Sequence, residues 1–404
     1  MGIEHTAPAA PERRRFFRDL SAAGAASALV AFLFAASGPL AIVLATGAKG
    51  GLAEAQIASW VFGSLAVNGA VSIVYCLVWR QPLVFFWTIP GTVLVGTALE
   101  HLTFAEVIGA YLATGLLMLA LGLTGWVRRA MQAIPMPIVM AMVAGVFLAF
   151  GLDWVRAFQA EPLIAASMTA AFLAASLVPA VAARVPPLIV ALAIGALVIH
   201  QAGTFAPGLG QTSLLATPQL QMPAFSWAAM AELVVPLAIT VLVVQNGQGI
   251  AVLTAAGHAP PVDQIAVGCG LTSMAGALIG AVSTCLTGPV NAILAAAGNR
   301  EGQYTAGVLV GVLAIGFGLA APLVTRLMLS TPPAFIATLA GLAMLRVLQS
   351  AFTIAFQGRF TLGALVTFLV TVAGIPVLNI GAPFWALIAG TCVSLVLERG
   401  DWRG

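Results

Sequence analysis

Two short polar segments of this chain share one pattern and could together bind an anion. They read Thr-Ile-Pro-Gly-Thr at 88–92 and Thr-Gly-Pro-Val-Asn at 287–291. Threonine is a good helix N-cap, and proline is tolerated in the first turn of a helix, where its missing N–H would be unpaired anyway. Apolar, β-prone residues precede each segment, at 83–87 and 281–286. The pattern therefore predicts extended backbone followed by a short helix that begins at each threonine.

Two such helix starts would create a specific kind of site. If the N-termini face one another, their unpaired N–H groups and the positive ends of their dipoles point at one place. No Lys or Arg lies at the predicted depth of these segments. An organic carboxylate could then be bound by backbone N–H groups and neutral side chains, without burying a basic residue. The alternative is that both prolines only kink ordinary helices.

A third polar cluster, Gln-Asn-Gly-Gln-Gly at 245–249, interrupts an apolar stretch. Three amide side chains there are costly unless they find partners, and the glycines leave room for a ligand. Hydrogen bonding between helices is the alternative. Trp87, with Phe85 and Phe86, could supply aromatic surface, although aromatic residues in membrane helices also serve plain packing. The predicted substrate-binding residues are Trp87, Thr88, Ile89, Gly91, Thr92, Gln245, Asn246, Gln248, Thr287, Gly288 and Asn291.

The composition places these segments in a lipid bilayer. Apolar residues make up 61% of the 404 positions and charged residues only 7%, which is too few charges to cover a soluble protein. Apolar stretches of about 20 residues, the length that crosses a bilayer as helix, recur along the chain. A β-barrel would show shorter alternating segments. The predicted fold class is an all-α polytopic membrane protein, with short extended stretches before two half-helices.

Fourteen membrane spans are predicted, seven in each half of the chain. Spans 3 and 10 are short for a full crossing and contain the two Thr-x-Pro segments. The spans of the first half are 22–47, 57–79, 83–99, 104–126, 132–152, 162–182 and 186–200. Those of the second half are 227–254, 262–283, 285–298, 303–325, 332–350, 360–375 and 382–398.

The distribution of basic residues predicts the orientation. With the tail 1–19 in the cytoplasm, 13 of the 16 Lys and Arg residues fall on the inner side, a strong positive-inside bias. The arginines that precede span 1 resemble a signal peptide, but we interpret this region as an uncleaved first helix. Both termini are therefore expected in the cytoplasm, and residues 201–226 form an uncharged extracytoplasmic linker.

Several other functional classes find no support in the sequence. The four cysteines stand singly in apolar segments, without metal-ligand spacing, and are interpreted as packing residues. The basic residues flank spans and form no patch for nucleic acid. No Ser/His/Asp set, metal cluster or His–Glu motif has catalytic spacing. We expect no enzyme, no cofactor and no metal.

The two halves repeat one another at a nearly constant offset. The tetrapeptide at 39–42 recurs at 236–239, an offset of 197 residues, and further matches follow at offsets of 196 to 199. Seven spans is an odd number, so the second half must be inverted relative to the first. Inverted repeats are typical of secondary transporters, whose substrates bind near the midplane at the repeat interface. The first repeat is predicted at 20–200 and the second at 227–404.

With these segments, the chain resembles the benzoate transporter family, BenE, across nearly its full length. That family is similar in turn to uracil permeases and sulfate-type anion transporters. The resemblance implies a core domain of spans 1–4 and 8–11 that moves against a gate domain of spans 5–7 and 12–14. It implies a substrate bound between spans 3, 8 and 10, and residence in the inner membrane. It also leaves open a homodimer formed through the gate domain.

One departure from that resemblance bears on the substrate. Uracil permeases carry acidic residues on spans 8 and 10, whereas Gln245 and Gly288 or Pro289 stand here. A buried carboxylate would repel a carboxylate substrate, so its absence favours an anionic ligand over a nucleobase. Glu232, near the outer end of span 8, is the candidate for proton coupling. The histidines are interpreted as solvated end groups: His5, His101, His200 and His258.

The leading hypothesis is a proton-coupled symporter of benzoate or a similar aromatic carboxylate, working by alternating access. The proton could travel on the substrate or on Glu232. A sulfate-type exchanger of inorganic anions is the second transporter hypothesis. An uncoupled anion channel is the third, although few polar residues line any single span.

Overall fold

The computed structural model describes residues 13–131, 134–178, 185–202, 213–296, 299–378 and 380–402. Within these ranges the chain is mostly helical. The helices of the first half are α1 (Arg13–Asp19), α2 (Ala22–Lys49), α3 (Glu54–Trp79), α4 (Ile89–Ala98), α5 (Phe104–Thr124), α6 (Val127–Met131), α7 (Met136–Ala160), α8 (Pro162–Leu177) and α9 (Pro187–Gln201). Those of the second half are α10 (Trp227–Ala255), α11 (Val262–Ala277), α12 (Gly288–Ala295), α13 (Gln303–Leu319), α14 (Ala321–Leu329), α15 (Pro333–Phe356), α16 (Thr361–Ala373), α17 (Ala382–Leu397) and α18 (Arg399–Trp402).

Seven of the described helices are long and apolar enough to cross a membrane: α2, α3, α5, α7, α10, α15 and α13 with its preceding turn. They correspond to predicted spans 1, 2, 4, 5, 8, 12 and 11. Five shorter apolar helices, α4, α8, α9, α16 and α17, correspond to predicted spans 3, 6, 7, 13 and 14. The protein is therefore a multi-span helical membrane protein, while the count of fourteen crossings stays a prediction.

One span boundary differs from the sequence interpretation for an electrostatic reason. Span 5 was predicted to end at about 152, whereas α7 continues through Asp153 and Arg156 to Ala160. Asp153 is paired with Lys49 at the end of α2 and with Arg156 one turn further along α7. The helix ends where Pro162 disfavours helical backbone at the preceding residue, and α8 begins at that proline.

Buried apolar side chains form two large clusters. The first cluster joins α2–α5 with α10–α13 and both short strands described below. The second cluster joins α7–α9 with α15–α17, and it receives Ala41 and Ile42 from α2 and Val93 and Leu94 from α4. The helices α2 and α4 thus contact both clusters, and whatever lies beside them lies between the two.

Three long helices have irregular turns near the two short strands. The helix α3 contains one wide π-type turn, Gly63–Val67. The helix α2 is broken at Ser37, whose φ of −97° and ψ of −99° are not helical. The helix α10 contains two wide π-type turns, Met230–Val234 and Thr240–Asn246. Such turns free backbone groups and occur often at functional sites. The second π-type turn of α10 packs against both α4 and the strand that precedes α12.

Candidate functional site

Two three-residue strands meet inside the first cluster and place both half-helices. The strand β1 (Phe85–Trp87) pairs antiparallel with β2 (Thr284–Leu286), with Phe86 opposite Cys285. The pairing continues by one bond at each end, from Thr88 N to Ser283 O at 3.0 Å and from Thr287 N to Val84 O at 3.2 Å. Extended backbone buried in this way needs its N–H and C=O groups paired. The strand pair therefore fixes where α4 and α12 begin.

A serine from a neighbouring helix holds the first N–H of each strand. Ser72 Oγ on α3 accepts from Phe85 N at 2.8 Å, and Ser273 Oγ on α11 accepts from Thr284 N at 2.9 Å. The two serines lie 201 residues apart, close to the offset at which the halves repeat. The same device thus serves both halves of the chain. Sequence reasoning missed both serines, although the repeat offset is a signal that could have found them.

The start of α4 is closed by its own threonine. Gly91 N donates to Thr88 Oγ1 at 3.2 Å, the hydrogen bond expected of an N-cap. The Thr88 hydroxyl donates in turn to Thr240 Oγ1 at 3.2 Å, and the Thr240 hydroxyl donates to Leu237 O at 2.8 Å. This chain of three bonds ties the N-terminus of α4 to α10. Thr240 was not among the predicted site residues.

The start of α12 is open by comparison. Thr287 is its N-cap, but its hydroxyl makes no cap hydrogen bond. The N–H groups of Gly288 and Val290 accordingly have no partner among the described residues. Gln248 of α10 lies directly against Gly288, because a Cβ placed there would come within 2.5 Å of its Oε1. Both helices carry proline in the first turn, so the difference between them lies in the threonine side chains.

Three of the predicted residues use their side chains within the fold. The Asn291 amide bonds to both backbone groups of Val84, and its Nδ2 also reaches Thr287 O at 2.7 Å. Asn246 Oδ1 accepts from Leu286 N at 2.7 Å. The Thr92 hydroxyl donates to Thr88 O at 2.8 Å. These side chains position the strand pair and α4.

Other predicted residues retain free polar groups. Gln245 is only 7% exposed, and its amide makes no hydrogen bond to any described residue. Trp87 is buried in the first cluster, and its Nε1 has no partner among the described residues. Ile89 is partly buried and packs against the second cluster. A buried polar group without a partner is costly, so the N–H of Trp87 is the strongest candidate here for a group that a ligand satisfies.

The site is electrically neutral. The side chains that hydrogen-bond to the strand pair and to the two helix starts are serine, threonine and asparagine. Within the part of the chain that the structure describes, no group of three or more His, Cys, Asp or Glu side chains is placed to hold a metal. The positive ends of α4 and α12 are therefore its main electrostatic feature.

Glu232 lies away from this neutral centre, in the first turns of α10. It is 3% exposed, and its Oε2 lies 2.9 Å from Nε2 of His101. The interpretation of the histidines as solvated end groups is corrected here for two of them. His101 bonds to the buried Glu232, and His258 bonds to Gln303 Oε1 at 2.7 Å. His200 is exposed, and His5 lies outside the described residues.

The chain is similar to known membrane transport proteins over nearly its whole length. The family model described as benzoate membrane transport protein matches residues 18–396. Inner membrane protein YdcO of Escherichia coli (strain K12) is 30% identical over 376 residues, covering 91% of this chain and 94% of that protein. The benzoate membrane transport protein of Acinetobacter baylyi is 28% identical over 392 residues, covering 95% and 97%.

A solved structure shows the same fold at low sequence identity. The transmembrane domain of a cyanobacterium bicarbonate transporter, BicA, matches with a TM-score of 0.63. The match covers 93% of this chain and 98% of that domain, at 17% identity. Likeness at this level of identity is a likeness of fold, and it leaves the substrate open.

Proposed function

Since this chain belongs to the family of benzoate membrane transport proteins, we propose that it is a proton-coupled symporter of benzoate or a similar aromatic carboxylate. The proposed location is the inner membrane, with both termini in the cytoplasm, and the proposed mechanism is alternating access. Members of this family are membrane transporters and not enzymes.

The observation that carries the proposal is the open N-terminus of α12. Its Gly288 and Val290 N–H groups lack partners among the described residues, and the Gln248 amide lies beside them. A carboxylate accepts two to four hydrogen bonds and is stabilised by the positive end of a helix. We assign the carboxylate to α12 rather than α4, because Thr88 already occupies the N–H of Gly91.

The apolar part of the substrate has a place between the two clusters. Ile89 at the start of α4 and Val244 on α10 are partly buried and pack against the second cluster. If the carboxylate is bound at α12 and the aromatic ring points toward these side chains, the ring is buried and contacts no charged group. Gln245, with its unpaired amide, lies next to Val244 on α10. This combination favours a carboxylate with an apolar body over a small hydrated anion.

The two clusters suggest which parts would move. We propose that the first cluster, formed by α2–α5 and α10–α13, carries the substrate as the core domain. The second, formed by α7–α9 and α15–α17, would be the gate domain. The bonds that hold α4, α12, α10 and the strand pair together all lie within the first cluster. The site can therefore move as one body.

Counterflow in proteoliposomes tests the proposal. Vesicles loaded with unlabelled benzoate should take up labelled benzoate, while vesicles without it, or loaded with cyclohexanol, should not. Uptake that is absent for benzoate and for ring-substituted benzoates alike would reject the substrate class.

Exchange of inorganic anions is the second candidate, and the fold likeness to a bicarbonate transporter favours it. The same vesicles decide between the two: bicarbonate or sulfate inside would then drive uptake of the labelled anion, with no competition from benzoate. A large current that does not saturate with anion concentration would instead indicate a channel.

A further inference from the structure

A buried carboxylate links the two clusters at one end of the molecule. Glu232 belongs to α10, in the first cluster's set of helices, and is 3% exposed. Its Oε1 makes no hydrogen bond to any described residue. This oxygen lies against Gly381, since a Cβ on that glycine would come within 2.2 Å of it. Gly381 is the N-cap residue of α17, a helix of the second cluster.

The electrostatics of this contact are favourable only while Glu232 is ionised. The first turn of α17 has no side-chain cap and carries a proline at its start. Its unpaired N–H groups and positive dipole end therefore face the carboxylate. A neutral glutamic acid would lose most of that attraction. The charge on Glu232 thus helps to hold α10 against α17.

His101 gives this carboxylate a partner that can take up a proton. Its Nε2 lies 2.9 Å from Glu232 Oε2, and its side chain is 24% exposed, whereas that of Glu232 is 3% exposed. Imidazole is the side chain whose ordinary charge change falls between pH 5 and 8. A proton from solution can therefore reach the pair through His101 and change its net charge from −1 to zero.

Few other charged groups face the pair. The elements that pack against this turn of α10 include α4, α5 and α17. Of these, α5 contributes Glu106, which bonds to Thr103, and the buried Tyr111. Glu100 precedes His101 in the chain, and Lys49 of α2, next to α4, is paired with Asp153. The described part of α4 contributes no titratable group, and α17 contributes only Cys392, ten residues beyond Ala382.

The pair of Lys49 and Asp153 makes a second link between the two sets of helices, α2 with α7.

We propose that His101 and Glu232 form the proton-binding site that couples transport, by controlling whether the outer ends of α10 and α17 stay together. This inference rests on the proposed function. With the pair at −1, Glu232 holds the start of α17 and the outer side stays closed. Binding of one extracytoplasmic proton neutralises the pair, weakens that hold and lets the gate domain move away from the core.

Distance measurements test the switch without any substrate. Spin labels are attached to cysteines that replace two exposed residues, Trp227 of α10 and Val377 before α17. The exposed Cys392 is replaced by alanine so that it is not labelled. The wild-type pair should move apart between pH 8 and pH 5. His101→Gln should keep the short distance at both values, and Glu232→Gln the long distance at both. A distance that is pH-independent in the parent, or that shifts equally in His101→Gln, would overturn the inference.

Transport provides the second readout. One coupled proton and a gradient of one pH unit support about tenfold accumulation of substrate, because one unit is a factor of ten. In Glu232→Gln the ratio of substrate concentration inside to outside should fall to about one, while counterflow continues. The control His200→Gln changes an exposed histidine at the end of α9 and should retain the parent ratio. If the parent shows no counterflow, the proposed function is rejected. The distances between the spin labels would still show whether protonation of the His101–Glu232 pair separates α10 from α17.

Discussion

Asn291 and Val84 join the two halves of the chain through a reciprocal pair of hydrogen bonds. Val84 N donates to Asn291 Oδ1 at 3.0 Å, and Asn291 Nδ2 donates to Val84 O at 3.1 Å. The amide thus acts as a further backbone pair beyond the end of the strands. Because Asn291 is on α12 and Val84 precedes β1, this contact sets the position of one half-helix relative to the strand of the other half.

Replacement of Asn291 by alanine should destabilise the protein before it changes specificity. The substitution leaves the N–H of Val84 buried without a partner, at about 1–3 kcal/mol for an unsatisfied group, while the C=O of Val84 keeps its bond from Thr287 N. We expect a clear fall in the melting temperature in detergent and little transport. Asn299→Ala, at an exposed position without a side-chain cap bond, is the matched control. A variant with the parent melting temperature but a lower affinity for benzoate would instead make Asn291 a ligand.

The hydroxyl chain at α4 gives a second prediction. Thr88→Val removes the cap of Gly91 N, which costs about 1 kcal/mol for a typical N-cap, whereas Thr88→Ser retains it. Thr240→Val should have a smaller effect, because it leaves the cap of Gly91 N in place and removes only the acceptor of the Thr88 hydroxyl and the bond to Leu237 O. The melting temperature should be highest for Thr88→Ser, intermediate for Thr240→Val and lowest for Thr88→Val. Equal stability of Thr88→Val and Thr88→Ser would show that the cap does not hold α4.

Local chemistry explains why some of the site could be predicted and some could not. Thr88 and Thr287 could be identified as helix starts because threonine and a following proline act on their own backbone. The partners of Asn291 and Thr240 depend on which segments meet in space, and no local pattern encodes that. The Thr88 hydroxyl caps its helix and the Thr287 hydroxyl does not, although both segments share the Thr-x-Pro pattern. Hydrophobicity located the long spans, but charges such as Asp153, once paired, need not end a helix.

The contact between Gly288 and Gln248 predicts a steric effect on binding. Alanine at 288 would place its Cβ 2.5 Å from Gln248 Oε1, so the amide must move away from the start of α12. We expect Gly288→Ala to raise the KM for benzoate, with little change in the melting temperature. Gly316→Ala, where a Cβ meets nothing within 4 Å, is the control.

A double variant separates crowding from loss of the amide. If the displaced side chain blocks the substrate, Gln248→Ala in the Gly288→Ala background should restore part of the affinity. If Gln248 instead binds the carboxylate, Gln248→Ala alone should raise the KM, and the double variant should be no better than either single one. An unchanged KM in all three would remove both residues from the proposed site.

The contact of Gly38 on α2 with α15 predicts how closely the proposed core and gate domains must pack. A Cβ on Gly38 would lie 2.3 Å from Cβ of Ala343 and 2.9 Å from Leu188 Cδ1, so Gly38→Ala must push α2 away from α15. Overpacking of this kind costs about 1–3 kcal/mol, and we expect transport to slow markedly. Gly151→Ala, whose Cβ would make only an ordinary contact at 3.5 Å, should transport at the parent rate.

Moving the methyl group across the interface tests whether this contact itself is responsible. Ala343→Gly removes the nearer of the two atoms that a Cβ on Gly38 would strike and leaves Leu188 Cδ1, the end of a flexible side chain, to adjust. The double variant Gly38→Ala, Ala343→Gly therefore restores the total volume between α2 and α15. Transport should recover toward the parent rate if close approach of the core and gate helices is what the single variant prevents. Failure to recover, with a normal melting temperature, would mean that Gly38 is needed for the break in α2 at Ser37 rather than for its contact with α15.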